Sequence, residues 1–123
     1  MSKNKSLYRK AWLRPRLRVM ADSEIALGPG RVDLLELIHK TGSLRAAAQQ
    51  MRVSYMRAWK LVKLTNRCFS QPLVDVVRGG KNGGGARLTN AGRRTLVLYR
   101  RMEKQCYRAV SSNWSNMRKL LVK

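Results

Sequence analysis

Apolar residues change their spacing along this chain, and each change marks an element. Leu17 and Val19 alternate with Arg16, Arg18 and Met20, which is the two-residue period of a half-buried strand. After Ala21-Asp22-Ser23-Glu24, residues 25–27 are placed to return beside it. Gly28-Pro29-Gly30 then interrupts the pattern. Over 31–40 the spacing becomes helical, with Val32, Leu35 and Ile38 in line and Leu34 and Leu37 widening the stripe. Gly42 ends that helix. A second helix over 43–51 turns Leu44, Ala47, Ala48 and Met51 inward, and its three alanines at 46–48 let a neighbouring helix approach closely. A third helix over 54–69 has Ala58, Leu61, Val62, Thr65 and Phe69 as its buried face, with Gln71-Pro72 closing it.

Ser43 and Ser54 open the second and third helices, and a serine oxygen can accept backbone N–H groups left unpaired at a helix start. Only Met51-Arg52-Val53 is left for the turn between them. That spacing predicts a helix-turn-helix. Residues 73–77 are short and β-branched and predict a strand. Arg78-Gly79-Gly80-Lys81-Asn82-Gly83-Gly84-Gly85 follows as a basic loop, and 86–88 fits the returning strand of a hairpin. Three helices and a glycine-tipped hairpin predict a mainly α fold with a small β wing: a winged helix-turn-helix.

A last helix begins at Thr89-Asn90-Ala91. Along it Leu96, Tyr99, Met102, Cys106, Val110, Trp114, Met117 and Leu121 recur every three or four residues. As one helix reaching towards the C-terminus it would extend roughly 45–50 Å, at about 1.5 Å per residue. So long a stripe reads as a dimer interface formed by Leu96, Tyr99, Met102, Cys106, Val110, Trp114 and Met117, with packing on its own domain as the alternative. Ser111-Ser112-Asn113 is a place for it to fray or break. The organisation expected is a basic arm (1–12), a winged domain (13–88) and a C-terminal helix (89–123).

Charge adds a partner to this architecture. The chain has 27 Lys+Arg and 6 Asp+Glu, a formal net charge of +21. Such a balance argues about partners rather than fold, and polyanions are favoured because neutralised phosphates release counterions. Residues 1–21 carry seven cations and no acid, whereas residues 22–88 hold five of the six acids. The first ten residues read as an arm, either solvated or touching DNA. No apolar signal-peptide core opens the chain, and no run approaches the about 20 apolar residues of a membrane span. The expected location is the cytoplasm, at the nucleoid. Cys68 and Cys106 sit in apolar contexts and read as buried free thiols.

The second helix of a helix-turn-helix commonly enters the DNA major groove, reaching base edges with its first residues. Arg57, Lys60 and Lys63 lie three or four apart on one helical face. Arg57 is the leading candidate for direct readout, because guanidinium pairs with guanine O6 and N7. Lys60 and Lys63 are placed for phosphates. Ser54, Tyr55 and Met56 stand at the helix start: Ser54 as cap alone or also on a phosphate, Tyr55 on a base or stacked inward. Trp59 is read as core. Ser43 and Arg45, at the start of the preceding helix, join the DNA-facing set, as do Arg78, Lys81, Asn82 and Arg87 of the wing.

The wing glycines lack the P-loop order of glycines followed by Lys-Ser/Thr. His39, Cys68 and Cys106 lack metal-ligand spacing. The carboxylates form no evident acid–base pair. No enzyme, metal or cofactor is expected.

Residues 28 to about 105 resemble the N-terminal DNA-binding domain of ModE-type molybdate-responsive regulators, a winged helix-turn-helix related to that of LysR-type regulators. Carrying the resemblance are Gly28-Pro29-Gly30-Arg31, Leu34-Leu35, Thr41-Gly42-Ser43, Ala46-Ala47-Ala48, Ser54-Tyr55, Ala58-Trp59, Pro72-Leu73-Val74, Gly79-Gly80-Lys81, Gly83-Gly84-Gly85-Ala86, Leu88-Thr89 and Gly92. It implies a homodimeric transcription regulator on a palindromic operator, with 54–69 in the major groove and 78–85 on the flanking backbone. Met56 stands where family members often carry lysine, and Asn82 interrupts the wing glycines. The chain ends at Lys123 without a counterpart of the molybdate-binding domains, so molybdate sensing by this polypeptide is not expected. The other reading of the charge is a nucleoid-type architectural protein without a preferred operator.

Overall fold

The computed structural model describes residues 10–77 and 85–121. Its elements run β1 (Val19–Ala21), β2 (Glu24–Leu27), α1 (Pro29–Thr41), α2 (Leu44–Met51), α3 (Tyr55–Arg67), β3 (Val74–Val77), β4 (Gly85–Leu88), α4 (Asn90–Ala109) and α5 (Ser111–Arg118). The expected mainly α fold with a small β-hairpin is therefore the observed one. Both sheets are two-stranded antiparallel hairpins, β1 with β2 and β3 with β4.

Local chemistry sets the helix ends. Pro29 opens α1, where its missing N–H removes no intrahelical bond. Gly42 closes it in the left-handed region at φ 68°, its N–H reaching the Ile38 carbonyl at 2.8 Å. Ser43 Oγ accepts the Ala46 N–H at 3.0 Å and Ser54 Oγ accepts the Arg57 N–H at 3.1 Å, so both expected serine caps form. The turn between α2 and α3 passes through Arg52 at φ 60°, a left-handed conformation that favours glycine over a residue bearing a Cβ.

The core gathers the inner faces of all three early helices around the β3–β4 hairpin. Val32, Leu35 and Ile38 of α1, Leu44 and Ala47 of α2, and Ala58 of α3 meet Leu73, Val74, Ala86 and Leu88. Met51, Leu61 and Phe69, expected among the inward residues, are half-buried at its edge. Helix α3 stops at Arg67, short of Phe69. The hairpin is fastened to the helices through β4: the Ala86 N–H bonds the Gly42 carbonyl at 3.2 Å, and Ser43 bridges Gly85.

Helix α4 begins inside this core rather than beside it. Thr89 Oγ1 accepts the Gly92 N–H at 2.9 Å while donating to the Pro72 carbonyl at 2.7 Å. The helix crosses so close to Leu73 that a Cβ on Gly92 would lie 2.1 Å from the Leu73 carbonyl oxygen. About two turns further, Tyr99 is 1% exposed and its hydroxyl donates to the Leu17 carbonyl at 2.6 Å. Burial raises the Tyr99 pKa, and the phenol stays a neutral donor. That bond ties Leu17 to the domain, and exposure alternates along the segment 11–18 that leads to it. Ala11, Leu13, Pro15 and Leu17 face in, and Trp12, Arg14, Arg16 and Arg18 face out.

Three expectations need correction. The long helix is two, parted at the Ser111-Ser112-Asn113 segment expected as its place to break: α4 ends at Ala109, about 30 Å from its start at 1.5 Å per residue, and α5 restarts at Ser111. At the break the Ser111 hydroxyl bonds back to the Arg108 carbonyl at 2.9 Å, a local competitor for helical pairing. Tyr99 belongs to the chain's own core and not to an outward stripe, and Leu96 is half-buried against the same core. Cys68 and Cys106 are half-buried free thiols, not buried ones.

Candidate nucleic-acid interface

Burial on α3 defines which way it faces. Ala58, Val62 and Thr65 are buried, and at about 100° per residue the opposite line runs through Met56, Lys60, Lys63 and Arg67. All four are exposed, Met56 to 67%. Lys60 and Lys63 thus occupy the centre of the outward face. Arg57 is exposed but stands about 90° to one side of that line.

Two aromatic residues flank the outward line and hold cations. Lys63 Nζ lies 4.5 Å from the centre of the Trp59 ring, and the Arg45 guanidinium carbon lies 4.8 Å from the centre of the Tyr55 ring. Such contacts orient a cation as well as attract it. Trp59 is half-buried and packs on the core, which supports the core reading in part. Tyr55 is likewise half-buried, its ring taken up between the core and Arg45.

The charge of this surface is of one sign. Residues 43–70 contain six cations (Arg45, Arg52, Arg57, Lys60, Lys63 and Arg67) and no carboxylate. The groove between α3 and β3 is lined by Trp59, Val62, Lys63, Asn66, Val74, Asp75 and Val76, with Asp75 its single acid. Asp75 stands opposite Arg87 in the hairpin register. Arg87 is exposed on β4. Arg78, Lys81 and Asn82, the other wing candidates, lie outside the described residues.

Half of the acids gather instead where α1 meets α4. Arg100 of α4 bonds Glu36 at 2.7 Å, Glu103 at 3.0 Å and Asp33 at 3.2 Å, and Glu36 also pairs with Lys40 at 3.4 Å. The hydrogen bond from Arg100 lowers the Glu36 pKa against the opposing effect of its burial. Burial disfavours the Arg100 charge, yet the bonds to Glu36, Glu103 and Asp33 outweigh it and raise the guanidinium pKa. Helix α1 is thereby tied to α4 by charge as well as by packing.

Asn66 was not visible as a site-building residue in the sequence. Its Oδ1 accepts the Leu73 N–H at 2.8 Å and the Val74 N–H at 3.2 Å, while its Nδ2 donates to the Val74 carbonyl at 3.0 Å. One side chain therefore joins the last turn of α3 to the first residues of β3. A polar residue in a helix has no periodic signature for that role. Only the approach of strand to helix shows it.

The residues expected at a dimer interface divide between environments. Leu96 and Tyr99 serve the core, Cys106 and Trp114 are half-buried, and Met102, Val110 and Met117 are exposed to 42%, 40% and 59%. Leu98 at 41% adds to the exposed apolar side of α4. His39 is exposed at the end of α1. Among the described residues, no group of three or more His, Cys, Asp or Glu is placed to hold a metal. No helix among them is long and apolar enough to cross a membrane.

No family model matches the chain. It is 40% identical over 88 residues to the molybdenum transport protein ModE of Azotobacter vinelandii, covering 72% of this chain and 33% of that protein. Against the transcriptional regulator ModE of Haemophilus influenzae it is 38% identical over 88 residues, covering 72% and 34%. The chain thus spans about a third of the length of the curated relatives it matches. Among solved structures, the CbnR_DBD-DNA complex superposes with a TM-score of 0.56 at 19% identity, over 72% of this chain and 95% of that one. At that identity the likeness speaks for the fold. The fold is a winged helix-turn-helix, and over about 70% of its length the chain is similar in sequence to ModE regulators.

Proposed function

We propose that the chain is a sequence-preferring transcriptional regulator that binds double-stranded DNA through α3 and the β3–β4 wing. The observation that carries this reading is the outward line of α3. Met56, Lys60 and Lys63 face solvent directly opposite the buried residues, within a stretch that has no acid. The names of the curated relatives, which include a transcriptional regulator, support it. In this reading Lys60 and Lys63 hold phosphates, and Met56 and Arg57 reach base edges from the first turn. Ser43 and Arg45 at the start of α2 lie against the backbone, with Ser54 and Tyr55 at the start of α3. Arg78, Lys81, Asn82 and Arg87 do the same from the wing.

The reading includes a homodimer on a palindromic operator, joined through the exposed apolar side of α4 and α5. Met102, Val110 and Met117 are its accessible anchors. Two recognition helices about 34 Å apart would meet successive major grooves. The protein would act at the nucleoid in the cytoplasm, by occupying its site rather than by catalysis.

The test compares affinity for a duplex selected from a random pool with affinity for random duplex, at physiological salt. A preference of several hundredfold or more is expected, with affinity falling steeply as salt rises. A ratio near one would favour the architectural reading instead. Sedimentation without DNA tests the dimer, and a monomer at micromolar concentration would overturn that part.

A further inference from the structure

Met56 is the one apolar side chain on the outward line of α3. It is 67% exposed, whereas Leu44 and Val62 are buried and Met51, Val53, Leu61 and Leu64 are half-buried in the same helix-turn-helix. Its backbone is held in the first turn, where the Ser54 cap bonds the next residue's N–H. Lys60 and Lys63 follow on the same line.

The chemistry of a thioether restricts what it can recognise. Methionine has no hydrogen-bond donor and only a weakly accepting sulfur. It therefore has little part in a donor–acceptor code. The major-groove edges of the four base pairs present donors, acceptors and one apolar feature, the C5-methyl of thymine. An unbranched, polarizable side chain also adapts its shape to a methyl group more readily than a branched one. We propose that Met56 is a specificity-determining residue that reads thymine through its C5-methyl group. The proposal rests on α3 entering the major groove.

Uracil isolates the contact, because it keeps every hydrogen-bonding group of thymine and lacks only the methyl. A preferred duplex is first selected from a random pool, and its thymines are then replaced by uracil one at a time. At the position that Met56 reads, uracil should weaken binding about fourfold, the equivalent of one buried carbon unit. Met56→Leu should retain that sensitivity. Met56→Ala should bind the thymine and uracil duplexes alike. Neutral uracil at every position, or a loss that persists in Met56→Ala, overturns the assignment while leaving the regulator reading intact. Failure to select any preferred duplex removes the regulator reading itself, and this proposal with it.

Discussion

Helices α3 and α4 open alike, each on a hydroxyl side chain that accepts a backbone N–H, and each carries a row of cations. Their surroundings differ. Around α3 the cations lack carboxylate partners, apart from Arg67, which pairs with Glu24 at 3.7 Å among the described residues. On α4 the central cation, Arg100, is held by three acids from two helices. The same residue type is thus a tether on one helix and an open surface on the other. Placement of three of the six acids on the α1–α4 face leaves the helix-turn-helix cationic. The net charge alone could not say which face that would be.

The comparison can be broken first at the anchorage of α4. A Cβ at position 92 would collide with the Leu73 backbone oxygen, which has no flexible end to move aside. Gly92→Ala should therefore destabilise by about 3 kcal/mol, at the upper end of overpacking costs. The better helix propensity of alanine returns only about 1 kcal/mol. Thermal unfolding should show a midpoint lower by about 10 °C or more. An unchanged midpoint would mean that α4 does not cross the domain this closely.

Second comes the tie between α3 and β3. Asn66→Ala leaves two N–H groups and a carbonyl without their partner, at a cost of about 2 kcal/mol. Asn66→Asp should not rescue it. The aspartate keeps an acceptor for Leu73 and Val74 N–H but replaces the donor to the Val74 carbonyl with a second acceptor. Equal stability of the aspartate variant and the parent chain would refute the donor's role.

The functional contrast between the helices is sharpened by two charge-equivalent changes. Lys60→Ala and Lys104→Ala each remove one exposed lysine. Lys60→Ala should weaken DNA binding several-fold and lower the log–log salt slope by about 0.9, the value of one phosphate contact. Lys104→Ala should leave that slope nearly unchanged. Identical slopes for the two variants would show that total charge, and not the α3 face, governs binding.

The smallest effect belongs to acid. The Glu36 pKa is lowered in the folded state, chiefly by the Arg100 hydrogen bond. Its contribution to stability is therefore complete above the ordinary carboxylate range and fades as pH falls through the lowered folded value. Against Glu36→Gln, the parent chain should hold a higher unfolding midpoint at pH 7, and the difference should shrink towards pH 3. A difference that grows on acidification would reverse the assigned sign.

Much of this was legible in the chain itself, and the physical reason is locality. Ser43, Ser54 and Gly42 act on backbone groups within four residues, so those helix ends followed from near neighbours, whereas Pro29, read as part of a break, is the first residue of α1. The inward sets of α1 and α2 followed from a 3.6-residue period. The break at Val110 is local too, because Ser111 competes with the helix for the Arg108 carbonyl.

What only the tertiary structure decided depends on residues far apart in sequence. Tyr99 reads as one member of an apolar stripe until its hydroxyl meets Leu17, 82 residues away. Arg100 is one cation among many until α1 brings Asp33 and Glu36 beside it. Asn66 has no pattern at all until β3 approaches. Arg57, Lys60 and Lys63 share a face by spacing, but the burial of Ala58, Val62 and Thr65 sets the centre of that face on Lys60 and turns Arg57 aside. Local rules place a side chain on a helix. Which way that side of the helix points is settled by what the other side is packed against.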